Sequence, residues 1–124
     1  MVAHLTPGHT PGCTSWGTTV TEHGRRLSVI FMCSLTVANQ RLIGDRGYPQ
    51  ARTDFERTFA RLKRMKADVF ITFHTERFDL PAKRAKLEKG DAFAFVDPSE
   101  MGRQVAHAEA DFRTELARQS AVAR

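Results

Sequence analysis

The stretch ADVFITF, residues 67 to 73, constrains this chain more than any other. It has the length of a strand and is apolar almost throughout, without the polar alternation of a half-exposed one. Successive side chains of a strand point to opposite faces, so a run of this kind predicts a strand covered on both sides. Helices or a second sheet must supply that cover. With 124 residues the chain has room for one domain with one core.

The remaining patterns supply the other elements of a mixed α/β chain. Val2 to Leu5 reads as a short extended piece entering a Pro/Gly loop. Thr14 to Glu22 and Arg26 to Met32 read as two strands joined at His23-Gly24, and therefore as a hairpin. Residues 34 to 50 are irregular, punctuated by Gly44, Gly47 and Pro49. Phe55, Phe59, Leu62 and Met65 recur at helical spacing with charges on the opposite face. Pro81 to Lys89 predicts a short helix ended by Gly90. A last helix opens with Asp97 as N-cap, Pro98 at the first helical position and Glu100 placed for a capping box. Its buried stripe is Met101, Val105, Ala108, Phe112 and Leu116.

Several functional classes drop out. No apolar run approaches the roughly 18 residues that span a bilayer, so no membrane partner is expected. The first residues lack the pattern of a secretory signal. The formal net charge is +5, and its largest cluster runs from Arg52 to Lys66. There Arg52, Arg57, Arg61, Lys63, Arg64 and Lys66 interleave with apolar residues at helical spacing, as on a solvated helix face. No aromatic-and-basic stripe accompanies them, and no nucleic-acid partner is expected.

Two cysteines and two histidines carry chemistry. With a turn over Thr21 to Arg25 centred near His23, Cys13 falls directly opposite Cys33. Opposed non-hydrogen-bonded positions lie about 4.5 Å apart at Cα, within the span of a disulfide. The pair is either a bridge formed in an oxidising compartment or two small buried thiols in a reduced one. His4, His23 and His107 read as packing or surface residues. His9 sits in the stiff loop GHTPG, and His74 ends ADVFITF. In α/β sheets the carboxyl ends of strands are where sites are built, so these two can converge on one cleft. Two imidazoles do not complete a zinc site, which takes three protein ligands when catalytic and four when structural.

The blocks TPGHTPGCTSW, VIFMCSLTVANQRL and YPQARTDFERTFARLKRMKADVFITFH, followed by FAFVDPSEM and a helix ending FRTELARQ, stand in order along the chain. Together they resemble the C-terminal half of the metallo-β-lactamases, specifically the third subclass. The resemblance covers nearly the whole chain, residues 1 to 124. It implies half of an αββα sandwich: one sheet with outer helices. It also implies two zinc ions whose shared hydroxide attacks a β-lactam carbonyl. By this resemblance His9 is a ligand of the first zinc and His74 of the second. Ser34 stands where other subclasses place a zinc-binding cysteine, and Thr36 where the substrate carboxylate is held. Cysteines placed like Cys13 and Cys33 can bridge in the family.

One departure matters. The family's H-x-H-x-D-H motif, which supplies the other zinc ligands, occurs nowhere in this sequence. Each zinc would keep one protein ligand, and the inner face of the sheet would lack its facing half-domain. The expectation is the C-terminal portion of a zinc-dependent β-lactam hydrolase, inactive as this chain alone. A truncated gene, a misplaced start at Met1 or a fragment would each produce it. Alternatives are a non-enzymatic half-domain that folds only with a partner, or a superfamily hydrolase of another ester, lactone or thioester. The CSLT block favours the β-lactamase branch. The expected compartment is the periplasm if upstream signal sequence is missing, and the cytoplasm if Met1 is the true start.

Overall fold

Four strands make one sheet in which spatial order follows chain order. The computed structural model describes residues 1 to 123. β1 (Val2–Leu5), β2 (Thr14–Glu22) and β3 (Arg25–Met32) pair antiparallel, and β4 (Val69–Thr72) joins β3 in parallel. α1 (Ala51–Leu62), α2 (Leu80–Glu88) and α3 (Glu100–Ala123) complete the fold, with a short 3₁₀ turn at Thr75–Phe78. This is the α/β class, one sheet with outer helices, that the sequence implied. Among the described residues no helix is long and apolar enough to cross a membrane.

The hairpin register differs from expectation by one residue. Glu22 pairs with Arg25, so the turn is the two residues His23 and Gly24, at φ 48° and 75°. Two central residues at positive φ match the right-handed twist of the flanking strands. Trp16 consequently pairs with Phe31, and the same register extended sets Cys33 against Thr14 rather than Cys13. Both cysteines lie just outside the strands, yet they are joined in a disulfide with Cα atoms 5.8 Å apart.

The two faces of the sheet are covered unequally: the helices bury one, and on the other Leu27, Val29 and Val69 are buried while larger side chains are not. On one, Ile30, Met32 and Phe70 meet Phe55, Phe59 and Leu62 of α1 and Met101, Val105 and Phe112 of α3. The rings of Phe55, Phe59 and Phe112 cluster with centroids 5.2 to 6.1 Å apart, the first two stacked and Phe112 tilted against both. The pairing register places Leu5, Trp16, Val20 and Phe31 on the other face. No helix of this core covers them: they are 64%, 43%, 43% and 41% exposed. An apolar sheet face open to water is the mark of an interface or of an absent layer.

β4 therefore meets only part of the expectation placed on it. Val69 and Phe70 point to opposite faces and are both buried, but β4 is an edge strand and Phe73 beyond it is exposed. The start of α3 also differs. Asp97 accepts from the Ser99 N–H (3.0 Å) and hydroxyl (2.7 Å), as a cap should. No capping box closes, because the Asp97 N–H is already given to the Asp68 carbonyl at 2.8 Å. Glu100 instead turns inward to pair with Lys83, both side chains largely buried.

Candidate metal centre

The loop between β1 and β2 carries His9, and the strand on either side explains its shape. Thr6 and Ser15 are fully buried and share a hydroxyl–hydroxyl bond of 2.9 Å across the loop's base. The Thr6 N–H donates to the Cys13 carbonyl (2.9 Å), and the Cys33 N–H donates to the Ser15 hydroxyl (2.9 Å). The ends of three strands are thus knotted below the loop. Above it, Gly8 adopts φ +146° and lies against the Phe55 ring, too close for any side chain. This is where the stiffness visible in GHTPG becomes a backbone requirement.

His9 is half-buried, and its Nδ1 lies 2.6 Å from the Thr36 carbonyl oxygen. A carbonyl only accepts, so the ring proton sits on Nδ1 and the Nε2 lone pair is left free. That is the pattern of a histidine ligand whose tautomer is set by a backbone acceptor. Ser34 and Thr36 belong to the same cluster: their hydroxyls are 3.0 Å apart, and the Thr36 hydroxyl is also 3.3 Å from His9 Nδ1. The Cys13–Cys33 bridge joins the His9 loop to the segment bearing Ser34 and Thr36.

His74 stands just past β4 with its side chain 63% exposed, and its nearest charged partner is Glu76 at 3.9 Å. A cavity of about 370 Å³ brings it together with Ser34 and Thr36, with Gln104, His107 and Asp111 of α3 on the far wall. Five of the six residues singled out from sequence therefore ring one loop cluster, and His74 shares a cavity with three of them, Cys33, Ser34 and Thr36. His4 is half-buried on β1 beside Gly17, His23 pairs with Glu22 at the hairpin tip, and His107 is exposed opposite Asp111. The basic side of α1 faces solvent, with Arg52 paired to Glu56 and Lys63 to Glu109.

The residue that ties the His9 loop to α1 by a hydrogen bond carried no chemical signal in the sequence. Thr58, buried on α1, donates to the Pro7 carbonyl at 2.6 Å. Tyr48, just before α1, donates to Asp54 at 2.6 Å, while the Gly8 N–H goes to the Thr10 carbonyl at 3.1 Å within the loop. Burial, and then the Asp54 carboxylate, push the Tyr48 phenol well above its ordinary range. Only the long-range approach of α1 to the loop exposes the role of Thr58.

A bound metal would find His9 well suited, with a free, oriented Nε2. The set as a whole falls short: among the described residues no three His, Cys, Asp or Glu side chains gather to hold an ion. Two imidazoles and a serine hydroxyl are fewer donors than a catalytic zinc takes.

A one-sided α/β sheet with a clamped histidine loop at one end and a bare apolar face defines half of a two-layered sandwich. No family model matches the chain. It is similar to solved structures of BJP-1, a subclass B3 metallo-beta-lactamase of Bradyrhizobium japonicum (41% identity, 99% of this chain and 47% of that one, TM-score 0.92). The Cronobacter sakazakii metallo-beta-lactamase with the HARLDQ motif matches at 39% identity over 97% of this chain and 45% of its own, TM-score 0.90. Native FEZ-1 metallo-beta-lactamase from Legionella gormanii matches at 35% identity over 96% and 46%, TM-score 0.92. The chain belongs to the metallo-β-lactamase family, on the subclass B3 branch. It spans just under half the length of the solved structures it matches, consistent with the C-terminal half.

Proposed function

We propose that this chain is the C-terminal portion of a zinc-dependent β-lactam hydrolase and does not turn over substrate alone. His9 through Nε2 and His74 would each give one ligand to a zinc of the pair. Ser34 and Thr36 would meet the substrate carboxylate. Once completed by ligands from outside this chain, the metals would supply Lewis acidity at the lactam carbonyl. The observation that carries this reading is the orientation of His9, whose Nδ1 is committed to the Thr36 carbonyl at 2.6 Å, leaving Nε2 as the donor. The exposed face with Leu5, Trp16, Val20 and Phe31 supports the companion proposal, a facing N-terminal half-domain as partner. The Cys13–Cys33 bridge favours an oxidising compartment, for which we propose the periplasm.

Zinc analysis of the purified chain after exhaustive dialysis, together with a chromogenic β-lactam assay, tests the reading. The expected result is weak, sub-stoichiometric zinc and no turnover, with hydrolysis restored by adding a polypeptide that carries H-x-H-x-D-H. Stoichiometric zinc with turnover by this chain alone refutes the inactive-portion reading. Failure of any such polypeptide to restore hydrolysis refutes the assignment of substrate.

A further inference from the structure

His9 is held by more than the Thr36 carbonyl, and the additional hold comes from a distant element. Thr58 lies 51 positions along the chain from Pro7, yet its hydroxyl donates to the Pro7 carbonyl at 2.6 Å. Its side chain is 2% exposed, so water offers that carbonyl no substitute there. One residue further on, Gly8 gives its N–H to the Thr10 carbonyl at 3.1 Å and packs against the Phe55 ring of α1. Pro7 and Gly8 immediately precede His9, so the Thr58 bond and the Phe55 contact fix the peptide planes that set the imidazole's direction. On the loop's other side, the disulfide and the Thr36 carbonyl form the opposing jaw.

We propose that Thr58 is a positioning residue for His9: by tying Pro7 to α1 it keeps Nδ1–H on the Thr36 carbonyl and Nε2 free. Thr58 touches neither a metal nor a substrate; it acts through the loop. The consequence for activity rests on the zinc reading above, whereas the clamp itself does not.

The test is made on the metal-free chain, so it stands or falls apart from zinc binding or hydrolysis. Long-range proton–nitrogen spectra of the imidazoles give the ratio of the two His9 tautomers, with the His9→Ala spectrum identifying its signals. In the parent chain the Nδ1–H form dominates. Thr58→Val keeps the shape and removes the donor, and the expected outcome is a fall in the Nδ1–H to Nε2–H ratio on the order of three- to tenfold, one hydrogen bond's worth. Thr58→Ser, which keeps the hydroxyl, restores the parent ratio. Thr58→Ala, which removes the donor without placing a second methyl in its stead, is the second arm and lowers the ratio in the same way. A merely structural role lowers the unfolding midpoint and leaves the tautomers alone. An unchanged ratio in folded Thr58→Val or Thr58→Ala overturns the proposal. So does global unfolding of both, which would make the contact a general support of the core.

Discussion

Gly8→Ala is the perturbation whose effect can be worked most directly from the structure. A methyl group built on Gly8 falls 2.6 Å from Cδ1 and 2.7 Å from Cγ of Phe55. Carbon atoms in contact prefer about 3.5–4.0 Å, so the ring would need to withdraw by roughly 1 Å. It has nowhere to go: Phe55 is 1% exposed and packs in a three-ring cluster with Phe59 and Phe112. Overpacking of a close-packed site costs about 1–3 kcal/mol, and a residue other than glycine at φ +146° adds backbone strain of similar order. The expected loss is about 3 kcal/mol. Gly12, in the same loop, is the control: nothing lies within 4 Å of its added methyl, and its φ is not in the left-handed range. Gly12→Ala is expected to stay within about 0.5 kcal/mol of the parent. Equilibrium urea unfolding of the three proteins, compared at unchanged m, reads the differences. Equal stability of the two variants would show that the Gly8 contact with α1 does not constrain the loop and would remove the basis for a rigid His9 mount.

Other outcomes follow from the same contacts. Lys83→Met alone strands the buried Glu100 carboxylate and is expected to cost about 3–5 kcal/mol in urea unfolding, whereas Lys83→Met with Glu100→Leu returns most of that loss. Hydrogen bonds from Arg118 and Gln119 hold the Glu115 carboxyl down from 4.5 to about 2, and the Lys63 hydrogen bond lowers Glu109 as well. A folded-state pKa below the unfolded one means this stability is complete above pH 4.5 and is lost as the pH falls toward about 2. The slope measured by thermal unfolding should flatten at high salt, since the Arg118 pair faces solvent. Trp16 is the single tryptophan and lies on the bare face. Its emission should be red-shifted and readily quenched by acrylamide in the isolated chain, and should shift blue when a facing half-domain docks; an unchanged spectrum on docking would place the partner elsewhere.

Much of the fold was legible because it is written in local signals. Periodicity and punctuation placed β2, α1, α2 and the stripe of α3, since side-chain alternation and helix caps act over a few residues. The stiff GHTPG loop marked His9, and the order of motif blocks marked the family. The errors have a common cause. The one-residue error at Cys13 and Cys33 came from the turn, whose two-residue form is chosen by strand twist rather than by composition. The capping box predicted at Asp97 failed because a distant carbonyl, that of Asp68, had already taken the N–H it needed.

By itself, then, the sequence determined the class of fold, the strands and helices, the histidine loop, and the lack of an H-x-H-x-D-H motif within these 124 residues. The tertiary structure decided which nitrogen of His9 is free, that Ser34 and Thr36 sit beneath it, and that α1 braces its loop through Thr58. It also decided which sheet face the helices cover and which keeps exposed apolar side chains. The physical reason is range. Propensities and caps are settled between neighbours in the chain, whereas a tautomer or a bare face depends on groups tens of residues apart brought within hydrogen-bond or van der Waals reach.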